Sequence, residues 1–168
     1  MQRTIAALCL IVMNLPATGR ASDTEFSRRT LKGIKAVAVI VEKLREEAPK
    51  GLTEQQLQND VELRLRNAGI AVTPSNRANQ AAAPDLYVRV NSLQLLNSPQ
   101  YVYAIGIELN QAVKIARDVR IVAVAATWDK GGTGCTSSPQ RIRDGVVDYV
   151  DKFIAAYLSV NPTPWRPY

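Results

Sequence analysis

The sequence predicts one α+β domain of order βαβββα, a mixed and mainly antiparallel sheet with two helices on one face. Three observations carry that expectation. Residues 34–44 and 86–128 contain apolar runs with the period of strands, residues 53–69 and 138–158 have the period of helices, and the last strands are joined by short turns. At 168 residues the chain can build one real core but not comfortably two. A hydrophobic share of 46% with 21% charged residues argues against disorder over most of its length.

The first strand is IKAVAVIVEKL, residues 34–44, apolar on both faces over Ala36 to Val41, which marks a strand flanked or covered on both sides. Pro49 and Gly51 then break the chain. Thr53 with Gln56 three residues later forms a capping-box signal, and Leu52 with Leu57 a hydrophobic staple. Leu57, Val61, Leu65 and Ala68 make one apolar stripe, and Gly69 ends the helix. Asp60 with Arg64 and Glu62 with Arg66 stand four apart, acid before base, as expected of a solvated helix surface.

Residues 70–73 read as a short strand and residues 75–84 as a loose loop. Leu86, Val88 and Val90 alternate with Tyr87, Arg89 and Asn91, a half-buried strand. After the turn at Asn97 to Gln100 a long strand follows, with Tyr103, Ile105, Ile107, Leu109, Val113 and Ile115 in one phase and Glu108, Asn110 and Lys114 in the other. Residues 119–128 give the next strand, ending at Trp128, and the short turns favour an antiparallel meander. Ser138 and Pro139 read as N-cap and first residue of the last helix, whose stripe is Ile142, Val146, Val150, Phe153 and Tyr157.

Residues 22–33 are polar and read as a leader outside the 34–160 domain, and residues 161–168 as an extended proline-rich tail. Residues 1–21 have the features of a secretory signal: Arg3, an apolar run from Thr4 to Met13, and small residues at Gly19 and Ala21. Cys9 lies inside that run, with no room for the hydrophobic region a lipid-anchor signal needs before its cysteine. Cleavage after Ala21 would remove Arg3, Arg20 and Cys9, lowering the formal charge from +6 to +4 and leaving Cys135 as the only thiol. No later segment is apolar for long enough to span a bilayer, so the expectation is an exported protein, periplasmic or secreted. Export and the lack of a dense basic stripe both disfavour nucleic acid as a partner.

The segment most like a site is TWDKGGTGCTSSP, residues 127–139. It has neither the spacing nor the following lysine of a phosphate loop, and not the G-x-G-x-x-G order of a dinucleotide fingerprint, so no cofactor is implied. Thr133, Gly134, Ser138 and Arg141 could receive an anion at the helix start. A hollow of roughly 300 Å³ or more beside that start would mark such a carrier. Cys135 could be a nucleophile, yet the chain contains no histidine to serve as its base. The same absence removes serine–histidine triads and the usual zinc ligand sets. The acidic residues are scattered, and Asp144, Asp148 and Asp151 fit the solvated face of the last helix. The simplest reading of the segment is a flexible connection whose glycines supply positive φ.

By element order, residues 34–158 resemble the small exported domains at the N-terminus of the translocation protein TolB. They also resemble domains of the curli-secretion lipoprotein family and of lipoprotein activators of peptidoglycan synthases. The helix segment LQNDVELRLRNAGI is similar to one in an uncharacterised bacterial exported family. The first three families act by binding partners in the cell envelope, so the resemblance implies a non-enzymatic domain binding a protein or envelope component. The surfaces best suited to that are Glu108, Asn110 and Lys114 on the long strand and Trp165 and Tyr168 in the tail. The alternative is a thiol-dependent enzyme or redox protein centred on Cys135.

Overall fold

In a computed structural model, residues 22–74 and 83–162 are described. The signal segment, most of the 75–84 loop and the tail beyond Pro162 lie outside them. Eight elements follow in chain order. They are α1 (Glu25–Arg29), β1 (Ala36–Val41), α2 (Glu54–Asn67), β2 (Ala71–Thr73), β3 (Asp85–Gln94), β4 (Tyr101–Ile115), β5 (Asp118–Thr136) and α3 (Pro139–Val160). The sheet is open, in the order β2-β1-β3-β4-β5. β1 runs parallel to β2 and β3, and β3, β4 and β5 form the antiparallel meander. The α+β class therefore holds, with the short strand at 71–73 as a fifth member at one edge.

The single-faced core follows from strand alternation. The ladder partners Val39 and Leu86, Leu86 and Leu109, and Leu109 and Trp128 all point to the same side. There they meet Leu57, Val61 and Leu65 of α2 and Ile142, Val146, Val150 and Phe153 of α3, all fully buried. Thr53 caps α2 by accepting from the Gln56 amide at 3.2 Å, and Gly69 turns the chain with φ of +78°. The pair Glu62–Arg66 forms as its spacing predicts, at 2.6 Å. Asp60 and Arg64 do not pair with each other. Asp60 accepts from Arg143, and Arg64 donates to both oxygens of Asp151 at 2.6 Å, so the two helices are tied by cross-links that no single-helix pattern reveals.

Residues 22–33 are not a frayed leader. Thr24 and Ser27 form a capping box around α1, Ser27 is buried, and Leu31 is fully buried in the core. Asp23 accepts from Arg28 at 2.6 Å and from the Trp128 indole N–H at 3.1 Å, which fastens the segment to β5. Asn161 does the same for the other end of the chain. Its side chain accepts from the Gly33 amide at 2.7 Å and donates to the Leu31 carbonyl at 2.9 Å. A polar composition hid this docking because its main anchors are long-range hydrogen bonds to residues a hundred or more positions away.

The glycine segment is a strand as well. β5 does not stop at Trp128 but continues to Thr136, pairing Gly131 with Gly106, Gly132 with Ile105 and Gly134 with Tyr103. None of these glycines has positive φ. They are needed for close approach. A Cβ on Gly131 would collide with the Ile105 carbonyl oxygen, one on Gly132 with the Tyr149 hydroxyl, and one on Gly134 with the Tyr103 ring. At Gly106 a Cβ would stand 3.7 Å from the Arg89 guanidinium, an ordinary contact.

At the far end of the hairpin the core runs out. Leu109 and Trp128 are the last buried pair, and the ladder shifts register just beyond them. Val113 and Ile115, in phase with the core, are only half-buried, because β4 and β5 there extend past the helices as an arm.

Gly131→Ala should destabilise the fold by about 1–3 kcal/mol through overpacking, and Gly106→Ala by clearly less, measured by denaturant unfolding. Equal costs would refute the close-approach account. The Arg28 guanidinium beside Asp23, with the Trp128 N–H, holds the Asp23 carboxyl below its ordinary range. A lowered folded-state pKa gives stability that is present above the unfolded value of about 3.9 and is lost as pH falls through the folded value. Asp23→Asn should therefore flatten the loss of stability below about pH 4. Identical acid limbs for variant and wild type would show that Asp23 contributes nothing there.

Candidate functional site

With both long helices on one side, the opposite face of the sheet is left open. Alternation assigns its residues, because neighbours of buried positions must point the other way. Arg89, Asn91, Glu108 and Asn110 stand there, opposite in phase to Val88, Val90, Ile107 and Leu109. Asp129 lies directly across the ladder from Glu108, and Thr133 across from Ala104.

A groove of about 500 Å³ crosses this face. Its floor is Ala104, Gly106, Gly131 and Gly132, and its rim includes Arg89, Asn91, Glu108, Asp129 and Thr133. Gly131, which lets β4 and β5 approach closely, and Gly106 opposite it are thus also the reason the groove is deep, since side chains at those two positions would project into it. The guanidinium of Arg89 lies across Gly106 and donates to Glu108. Facing carboxylates on neighbouring strands repel, and Arg89 offsets that repulsion at Glu108. With Arg89 35% and Glu108 23% exposed, the pair contributes at most about 1 kcal/mol to stability. Its larger effect is to fix a cation and an anion side by side in a hollow otherwise floored by small residues.

The residues singled out in the sequence are distributed over several places. Glu108 and Asn110 belong to the open face, and Lys114 shares their phase but sits out on the arm, opposite Val122. Thr133 lines the groove, while Gly134, next along the strand, faces the helix side beneath Tyr103. Ser138 is the N-cap of α3, with no side-chain capping bond, and Arg141 is exposed within its first turn. The groove lies on the sheet, not at the start of that helix. Cys135 is an exposed strand residue opposite Val102, its thiol 3.6 Å from the Gln100 side-chain oxygen, and not a residue on a turn before the helix. Trp165 and Tyr168 lie outside the described residues.

Arg89, Asn91 and Asp129 were not among the residues the sequence singled out. The polar phase of residues 87–91 was visible, but that Arg89 meets Glu108, and Glu108 faces Asp129, depends on the registers of β3 and β5 against β4. No helix among the described residues is long and apolar enough to cross a membrane.

Cys135 should react fully with a bulky, membrane-impermeant thiol reagent in the folded protein, with no change in its unfolding curve. Protection from the reagent would contradict its placement on the exposed face.

No protein-family model matches the sequence, and no curated protein matches it. Among solved structures, the chain is similar to the PelC dodecamer from Paraburkholderia phytofirmans. Identity is 20%, with 73% of this chain and 87% of that chain covered and a TM-score of 0.46. A leucine-to-methionine variant of that dodecamer gives 18% identity, coverage of 74% and 89%, and a TM-score of 0.45.

Proposed function

We propose that this chain is an exported, non-enzymatic binding domain whose working surface is the open face of its sheet, with a protein or another envelope component as partner. The observation that carries the reading is the groove, a hollow of about 500 Å³ with a glycine and alanine floor and a rim that joins the Arg89–Glu108 pair to Asn91 and Thr133. Concave sites with a few convergent polar groups are where proteins hold ligands and partner side chains. The signal features of residues 1–21 support export, and the absence of histidine from the sequence removes the commonest general base. Cys135 at an exposed strand position, with Gln100 as its contact, gives the thiol-enzyme alternative less support than a helix-start position would have done.

The test is capture from a cell-envelope extract by the wild-type protein, by Thr133→Trp and Arg89→Glu, and by a chain ending at Asn161. Thr133→Trp fills the groove and Arg89→Glu reverses its cation. Either should lower the captured partner's affinity at least tenfold, about 1.4 kcal/mol, with the fold intact by circular dichroism. Loss of binding only in the shortened chain would move the surface to the tail. Equal capture by every form, or no partner at all, would defeat the reading.

A further inference from the structure

β5 is the outer strand of the sheet and is 19 residues long. Among the described residues only Ser22 pairs with its outer edge, at Asp129. Among the described residues, the stretch from the hairpin tip to Ala126 is therefore an uncovered strand edge. On it Val119, Ile121, Val122 and Val124 are 44–63% exposed, with Ala123, Ala125 and Ala126 between or beside them.

Whatever covers this edge has to meet two needs together. It must bury the aliphatic side chains, and it must supply partners for the strand's outward N–H and C=O groups. A lipid surface meets only the first, since unpaired backbone groups cost several kcal/mol each in hydrocarbon. Another strand meets both.

The charges indicate which strand. Ile121 to Ala126 carries none, while Lys114, Arg117, Asp118 and Arg120 crowd the tip with a net positive charge. Antiparallel pairing of two copies would join the neutral stretches and send the two tips to opposite ends. The six neutral residues span about 20 Å, more than two screening lengths at physiological salt of about 8 Å each. The same arrangement sends each basic tip past the neutral stretch of the other copy, toward Asp129 and Lys130, where the Ser22 bridge halts the pairing. Parallel pairing would instead set the tips side by side. A strand edge meeting its own copy about a two-fold axis is also self-complementary in its hydrogen bonds.

We propose that the β4–β5 arm is a self-association surface, on which residues 119–125 of β5 pair antiparallel with the same residues of a second copy, so that Val122 faces its own copy across the two-fold axis. This does not depend on the groove being a binding site.

Sedimentation velocity and light scattering on the purified full chain at tens-of-micromolar concentration test it. The wild type should have at least twice the mass of one chain, and V122K/V124K should have the mass of one chain with its fold intact by circular dichroism. On a Cys135→Ser background, Val122→Cys should form an interchain disulfide under mild oxidation, while Ala112→Cys, on the inner strand β4, should not. If the double-lysine variant fails to fold, the cysteine pair decides the matter. A monomeric wild type overturns the proposal, also if that monomer instead floats with phosphatidylglycerol vesicles. So does a folded double-lysine variant that keeps its mass, or equal cross-linking at both cysteine positions.

Discussion

The structure depends most on one side chain, the indole of Trp128. It is fully buried and meets the Phe153 ring edge-on, with centroids 5.3 Å apart, so it packs β5 against α3. Its N–H is satisfied by Asp23, whose other contact is Arg28, so the same residue fixes the segment before β1 to the far edge of the sheet. A buried indole needs a partner for its N–H, and a half-buried carboxylate is stabilised by a cation beside it. The segment around α1 is held because it supplies both.

Trp128 also marks where the molecule changes character. On one side of it the sheet lies under α2 and α3. On the other, past a register shift, β4 and β5 continue as an arm with valines in solvent. The glycines after Trp128 have the opposite effect. Gly131 lets β5 press close to β4 and, with Gly106, leaves a hollow on the open face, into which Arg89 reaches to Glu108, while Gly132 and Gly134 make room for Tyr149 and Tyr103 on the helix side. One strand thus carries, in order, an exposed aliphatic edge, a core anchor and a groove floor. Nothing in its hydropathy separates the three, since valine, tryptophan and glycine each take their meaning from what lies across the ladder.

The helices were the most legible part of the sequence. Thr53 and Gln56, Ser138 and Pro139, and the 3.6-residue stripes are local signals, and local hydrogen bonds and packing within a few residues decide them. The meander was legible for the same reason, because short turns leave adjacent strands little choice but to pair antiparallel. The glycine segment was misread because glycine favours loops in isolation, and only Ile105, Tyr149 and Tyr103 supply the crowding that requires it in a strand. Residues 22–33 were misread because Asp23 and Thr24 look solvated until Trp128 and Ser27 are beside them.

By itself the sequence determined the α+β class, the two long helices with their caps, the buried stripes and the absence of histidine chemistry. Tertiary structure alone decided the strand order β2-β1-β3-β4-β5, that Asp60 and Arg64 reach across to α3, and that Arg89, Glu108 and Asp129 meet. The physical reason is range. Periodicity and capping are set by residues within one or two turns of each other, whereas a groove or a cross-helix ion pair exists only once strand register is fixed. That register is decided by the burial of an entire face, because a shift of one residue would exchange the core for the open surface.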